Sequence, residues 1–355
     1  MKILVISLAG IGDTLLATPL IHELRANHPA AQIDALVLWA GSRDLLEGNP
    51  HINQIFQRNL SKESKAGSWQ FLQQVRRRGY DVSINTHPQS KIHYRFIAGL
   101  AGARERISHE YECFGPLDRL LVNRTLAQDY TLHTVDNNFA ILPMLGAKLL
   151  LPKHELEVHL SPAEETWADA FIAENNLGGC KRLGIHAGSG GTKNLMLKRW
   201  PLEQYVKLLA KLRQERPDLA ILLFGGPDEE AEAQELRAPH DPKLVVRAAT
   251  KSLRQAAALM KRCDAFLSVD TALMHLAAAV RAPRQIVIEA PTLNKTNEPY
   301  GNQYTLVKNP GVAGRNLEYY RYDGRGIQGT REELIRCMTS VSVEAVFDAV
   351  TNAIR

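Results

Sequence analysis

The opening twenty residues constrain the fold more than any other stretch. Ile3–Ile6 is a short apolar run with β-branched residues, as a strand buried on both faces requires. Ala9-Gly-Ile-Gly-Asp13 follows as a tight loop of small residues, and a helix is expected from Thr14 onward. A strand, loop and helix in this order belong in an open parallel sheet. Ligands bind such sheets at the carboxyl ends of the strands, because the next helix offers unpaired N–H groups and a partial positive charge there.

A dinucleotide is the first ligand to consider, and the fit is poor. The fingerprint needs a third glycine three residues after the second, where this chain has Leu15. It also needs an acidic residue at the end of the next strand, Gln32–Trp39, which carries Asp34 near its start instead. The loop does present Asp13 at the helix entrance. Asp is among the preferred N-cap residues, so a plain capping role stands beside a chemical one.

The 355 residues exceed what one core usually organises, and two domains are expected. No apolar run reaches the length of a membrane span, and Gly, Asp and Pro interrupt the first twenty residues in a way no signal peptide would. The expected location is therefore cytoplasmic. Cys113, Cys180, Cys263 and Cys337 are widely separated, which argues against a disulfide framework and a zinc site. A net charge of +5 without interleaved aromatic and basic residues excludes a typical nucleic-acid binder and suits an anionic small molecule or membrane surface.

Strands and helices keep alternating, the pattern of an α/β chain with parallel sheets. Gly79–Asn85 reads as a strand leading into Thr86-His-Pro-Gln-Ser90, residues 91–101 as a helix followed by Gly102, and the stretch near 133–146 as another helix. The proline-bracketed stretch 149–162 is an extended connector and holds the expected domain boundary. Beyond it the pattern restarts, with strands at Arg182–His186, Leu219–Phe224, Ala265–Val269 and Arg284–Ile288 and helices between them.

Three loops of the second half fall at strand ends. Gly188-Ser-Gly-Gly-Thr192 with Lys198 supplies backbone N–H groups, hydroxyls and an ammonium, the donors a diphosphate needs. Asp228-Glu-Glu230 could accept ribose hydroxyls, or could simply complement a helix dipole. The third is the most informative. A buried strand delivers Asp270 and Thr271 to a helix N-terminus with His275 one turn on, so Asp270 could hold sugar hydroxyls while Thr271 and His275 meet phosphate oxygens.

Taken in order, these motifs resemble the bacterial lipopolysaccharide heptosyltransferases, family 9 of the glycosyltransferases. The resemblance includes Gly10-Ile-Gly-Asp13 with Ala17-Thr-Pro19, Tyr80-Asp81 ahead of His87, His186 before the Gly/Ser loop, and Lys198-Arg-Trp-Pro201. It continues through Asp270-Thr271 with His275-Leu-Ala-Ala, Pro291-Thr292, Pro299-Tyr-Gly301 and Cys337-Met338.

The resemblance implies a GT-B fold, with two Rossmann-like doubly wound parallel-sheet domains facing a central cleft. The acceptor domain would span 1–155, the nucleotide-sugar domain 156–338 and a C-terminal helix 339–355. It implies an inverting, metal-independent transferase that moves heptose from ADP-heptose to the lipopolysaccharide inner core. Asp13 would be the general base. Ser189, Thr192 and Lys198 would face the diphosphate, Glu229 or its neighbour Glu230 the ribose, and Lys251 the adenine. Asp270 would hold the sugar, with Thr271, Ala272 and His275 around the phosphates.

The chain departs from the family at Ala272, where glycine is usual, and at Glu289-Ala290, where Phe-Gly is usual. A GT-B-shaped nucleotide-sugar epimerase, or a transferase using another nucleotide sugar, is the alternative. The expected partners are the donor and a lipid-anchored anionic oligosaccharide, with the protein a monomer in peripheral contact with the inner membrane. Arg76–Arg78, Lys91, Arg95, Arg104 and Arg106, together with Arg58, Lys62 and Lys65, form the candidate anionic-ligand face.

Overall fold

The computed structural model describes residues 1–191 and 194–355. The chain forms two compact units, Met1–His159 with Tyr322–Gly324, and Leu160–Arg321 with Arg325–Arg355. The division falls within the extended connector, a few residues beyond 155, and residues 339–355 belong to the second unit.

Unit 1 holds β1 (Lys2–Ser7), β2 (Gln32–Val37), β3 (Gln54–Gln57), β4 (Val82–Asn85), β5 (Glu105–Glu110) and β6 (Arg124–Ala127), ordered β3-β2-β1-β4-β5-β6. Unit 2 holds β7 (Lys181–His186), β8 (Leu219–Phe224), β9 (Val245–Arg247), β10 (Ala265–Ser268), β11 (Gln285–Ile288) and β12 (Tyr304–Val307), ordered β12-β11-β10-β7-β8-β9. Every pairing is parallel. Counted within each unit, both sheets have the doubly wound order 3-2-1-4-5-6, whose direction of winding reverses between the first and fourth strands. Those switch points lie between β1 and β4 and between β7 and β10.

The central strands are the apolar ones that the sequence reading finds. The four edge strands β3, β6, β9 and β12 escape it, as does the polar β5 (Glu-Arg-Ile-Ser-His-Glu): β3, β6 and β12 are short and half-exposed, so they need no continuous apolar run, and the buried β9 is only three residues long. The helix expected over 133–146 is two pieces. Thr134–Phe139 is α-helical, and Leu142–Leu145 is a 3-10 turn that contains Pro143 and ends at the left-handed Gly146.

In unit 2 the β7, β8 and β10 side chains Ile185, Leu223 and Leu267 pack with Leu208, Leu209 and Leu212 of the Leu202–Glu215 helix. Val346, Phe347 and Val350 of the Val343–Ala353 helix join the same core, and the Trp200 indole donates to the Val341 carbonyl at 3.0 Å. Among the described residues no helix is long and apolar enough to cross a membrane. All four cysteines are free thiols, and burial pushes the Cys263 thiol up to about 12.

Candidate active site

Both groups of functional residues stand at the switch points. In unit 2, β7 ends in His186 and β10 leads into Asp270 and Thr271. Thr271 has extended backbone and caps the Ala272–Ala279 helix, its Oγ1 accepting the Met274 N–H at 3.4 Å. Ala272 is thus the first helical residue, and His275 lies buried one turn along.

His186 ties three loops together. Its Nε2 lies 3.2 Å from Glu229 Oε2, in the loop after β8, and its Nδ1 lies 3.1 Å from Thr271 Oγ1. Burial favours a protonated Glu229, but the His186 bond and charge, the Gly226 N–H at 3.0 Å and the Arg199 guanidinium outweigh it and hold this carboxyl below its ordinary range. An ionised carboxylate only accepts, so the Nε2 proton of His186 points at Glu229. Gly188 leaves room for this carboxylate: a Cβ at that position would lie 1.6 Å from Glu229 Oε1 and displace it.

Asp270 and Lys198 form the second part. Lys198, from the 3-10 turn Leu195–Lys198, places Nζ 3.3 Å from Asp270 Oδ2, and Asn297 Nδ2 lies 3.2 Å from the same oxygen. Burial would raise the pKa of Asp270, but Lys198 and His275 overcome it and the carboxyl sits below its usual range. An ammonium has three protons to donate, so Lys198 keeps donor capacity for an anion.

The remaining expected donor residues are placed differently. The Ser189 hydroxyl donates to the Leu195 carbonyl at 3.1 Å and accepts from Arg199 Nε at 3.1 Å, so both its functions are already engaged. Glu230 is exposed and bonds Arg247 Nε at 3.1 Å, leaving Glu229 as the inward carboxylate. Lys251 is exposed beside the Leu253–Met260 helix. Thr192 lies outside the described residues.

Sequence reasoning assigned no role to Arg199 or Asn297. Arg199 stands inside the noted Lys198-Arg-Trp-Pro201 motif, and Asn297 lies between the noted Pro291-Thr292 and Pro299-Tyr-Gly301 without belonging to either.

In unit 1 the loop after β1 becomes helical earlier than expected. The helix spans Ile11–Leu16 with Gly10 at its N-cap, so Asp13 is the third helical residue and not the cap. Three residues on, its carboxylate folds back over Gly10, where a Cβ would lie 2.7 Å from Asp13 Oδ2. Burial, and then the Asp13 charge, push the Tyr94 hydroxyl up to about 12, and Tyr111 is raised by burial with Asp13 among its neighbours.

The loop after β4 carries His87, which is buried and packed against Tyr111 and His109 with its Nδ1 3.2 Å from the Tyr111 hydroxyl. Tyr322 meets its ring edge-on at 5.3 Å. Burial and the neighbouring His109 and His133 hold the imidazole neutral.

Part of the expected basic face is internal, while Arg58, Lys62, Lys65, Arg76, Arg77, Arg78 and Arg104 are exposed. Arg95 is fully buried: its Nε pairs with Asp118, and its terminal nitrogens donate to the Gln89 and Ser90 carbonyls at 2.9 Å. A planar five-donor group suits that internal task, and Arg95 therefore builds the His87 loop and faces no ligand. Arg106 bonds the Leu121 and Ala103 carbonyls, Arg78 approaches Asp34, and Arg58 pairs with Glu63. Arg76, Arg77 and Arg104 stay exposed.

Comparison with known proteins bears on this arrangement. The chain is 27% identical over 327 residues to the lipooligosaccharide heptosyltransferase 2 of Haemophilus ducreyi, covering 87% of this chain and 88% of that one. Among solved structures, the glycosyl transferase family 9 protein of Veillonella parvula matches with a TM-score of 0.78 at 21% identity, over 99% of this chain and 97% of that one. The ADP-heptose lps heptosyltransferase II of Escherichia coli matches with a TM-score of 0.74 at 20% identity, over 100% and 98%. These likenesses show the GT-B fold. The model of glycosyltransferase family 9 (heptosyltransferase) matches residues 68–320, more than half of the chain. The chain therefore belongs to glycosyltransferase family 9.

Proposed function

We propose that this glycosyltransferase moves heptose from ADP-heptose to the inner core of lipopolysaccharide with inversion, and that no metal ion takes part in the transfer. The reading rests most on the buried Lys198–Asp270 pair at the start of the Ala272–Ala279 helix, at the switch point of the unit 2 sheet. An ammonium with donor capacity, a helix N-terminus and a neighbouring carboxylate suit a diphosphate joined to a polyol. Lys198, Thr271 and the backbone of Ala272 would meet the diphosphate, with His275 close by. Glu229 would accept from the ribose through Oε1, Lys251 would lie beside the adenine, and Asp270 would hold the sugar hydroxyls.

In the reaction, Asp13 takes the proton from an acceptor hydroxyl as its oxygen attacks the anomeric carbon. The bond from that carbon to the diphosphate oxygen breaks on the opposite face, and ADP leaves with the electron pair. Charge on the departing diphosphate is stabilised by Lys198 and the helix N-terminus. The acceptor is an anionic, lipid-anchored oligosaccharide. A monomer would meet it at the cytoplasmic face of the inner membrane, with Lys62, Lys65, Arg76, Arg77 and Arg104 among the exposed cations available for that contact.

The test measures ADP release from ADP-heptose with and without an inner-core acceptor, in excess EDTA. Release that depends on acceptor and persists in EDTA is expected. Turnover of the nucleotide sugar without acceptor would identify an epimerase, and complete loss restored by magnesium would overturn metal independence.

A further inference from the structure

Outside these residues, unit 1 gathers three imidazoles around one carboxylate. His22 comes from the Thr18–Asn27 helix, His51 from the loop before β3, and Glu157 and His159 from the connector. His22 Nδ1 lies 2.5 Å from Glu157 Oε1, while His51 Nε2 and His159 Nε2 lie 3.6 and 3.1 Å from Oε2. The His22 and His51 rings stack with centroids 3.8 Å apart at 17°. Donor atoms of His22, His51 and Glu157 all fall within 4.8 Å of one another. The carboxylate is fixed from its own backbone, because the Glu157 N–H donates to Thr18 Oγ1 at 3.0 Å.

Donor atoms from three separate segments of the chain thus meet at one place, and the stacked rings must rotate apart to direct both lone pairs at one ion. Two histidines and one carboxylate form a zinc ligand set that leaves a coordination position open, and histidine ligands are commonly braced by further hydrogen bonds around them. Side-chain exposures of 33% for His22 and 16% for His51 and Glu157 leave an ion a way in.

We propose that His22, His51 and Glu157 form a binding site for a divalent transition metal of the zinc class, with His159 holding the carboxylate in place. Ligand bonds of about 2.0–2.2 Å put tetrahedral donors roughly 3.3 Å apart. The His22–Glu157 contact therefore opens slightly on binding. The ion clamps the connector to the Thr18–Asn27 helix and the loop before β3. This inference shares no residue with the donor-binding proposal and does not depend on it.

The test uses the full-length, untagged protein stripped with chelator, titrated with zinc chloride by calorimetry and with cobalt(II) by absorption spectroscopy. One equivalent per chain, a rise in Tm and a cobalt spectrum of nitrogen and oxygen ligation are expected. His22→Gln and His51→Gln should each abolish that equivalent, and His159→Gln should weaken it about tenfold. Glu157→Gln preserves shape and hydrogen bonding; with circular dichroism and cooperative melting unchanged, it should also lose the ion. Zinc uptake equal in the wild type and the His22→Gln/His51→Gln double variant would overturn the proposal. So would a cobalt–thiolate charge-transfer band.

Discussion

Lys198 and Asp270 form a buried ion pair, Nζ to Oδ2 at 3.3 Å, although they come from the segments after β7 and after β10. Removing one partner strands the other charge, at a cost of about 3–5 kcal/mol. Lys198→Ala should therefore lose stability of that order as well as transfer. The double variant Lys198→Met/Asp270→Asn should recover most of the stability and none of the activity. Chemical denaturation and ADP-release assays on the three proteins check this, and full activity in the double variant would assign the pair to folding alone.

Asp13→Asn should leave the fold and donor affinity intact, because the native cap is Gly10 and the Asp13 side chain is half-exposed. Transfer should fall by roughly 10²–10⁴, the usual contribution of a general base. Single-turnover kinetics beside a donor-binding titration separates the two effects; unchanged turnover would reduce Asp13 to a helix-start carboxylate.

Gly188 and Gly190 lie two residues apart and should respond differently to alanine. A Cβ on Gly188 would meet Glu229 Oε1 at 1.6 Å, whereas one on Gly190 meets nothing within 4 Å among the described residues. Gly188→Ala must push Glu229 away from His186 and weaken ADP affinity, and Gly190→Ala should be silent by the same titration. Equal effects would remove Glu229 from the donor site.

Stability should fall with acid in two stages. Burial pushes His109 down to about 4 from an ordinary 6.5, so between these values the unfolded chain binds the extra proton. Stability is complete above pH 6.5 and declines toward pH 4 by about 1.4 kcal/mol per pH unit for such a group. Buried His87 acts in the same direction. Glu164, held at about 2 chiefly by its Arg254 bond, is depressed in the same direction, here because the native state favours the charged form. Its contribution is present above 4.5 and lost as pH falls from there to about 2. Thermal melts across pH 7–2 should show both stages, with His109→Gln flattening the first and Glu164→Gln the second.

Much of the candidate site of unit 2 was legible because its residues coincide with local pattern. A buried strand, a capping Thr271 and a following helix make Asp270 and His275 conspicuous in one line of sequence. Asn297 reaches the same carboxylate from a loop whose path depends on tertiary packing, and no local signal marks it. Arg95 misled for a related reason: on a helix among other basic residues it reads as surface charge. Its partner Asp118 lies in the separate Pro116–Leu121 helix and becomes its neighbour only through folding. The edge strands β3, β6 and β12 were hidden because half-exposed pairing tolerates polar sequence.

The packing of the Val343–Ala353 helix has a consequence for biogenesis. The six strands of unit 1 lie within residues 2–127, so that sheet can assemble while the rest of the chain is still being translated. The core of unit 2 stays open along one flank until Val346, Phe347 and Val350 have been made, after all of its strands. Unit 2 thus matures late, and an arrested nascent chain would hold a finished unit 1 sheet and an incompletely buried unit 2 core.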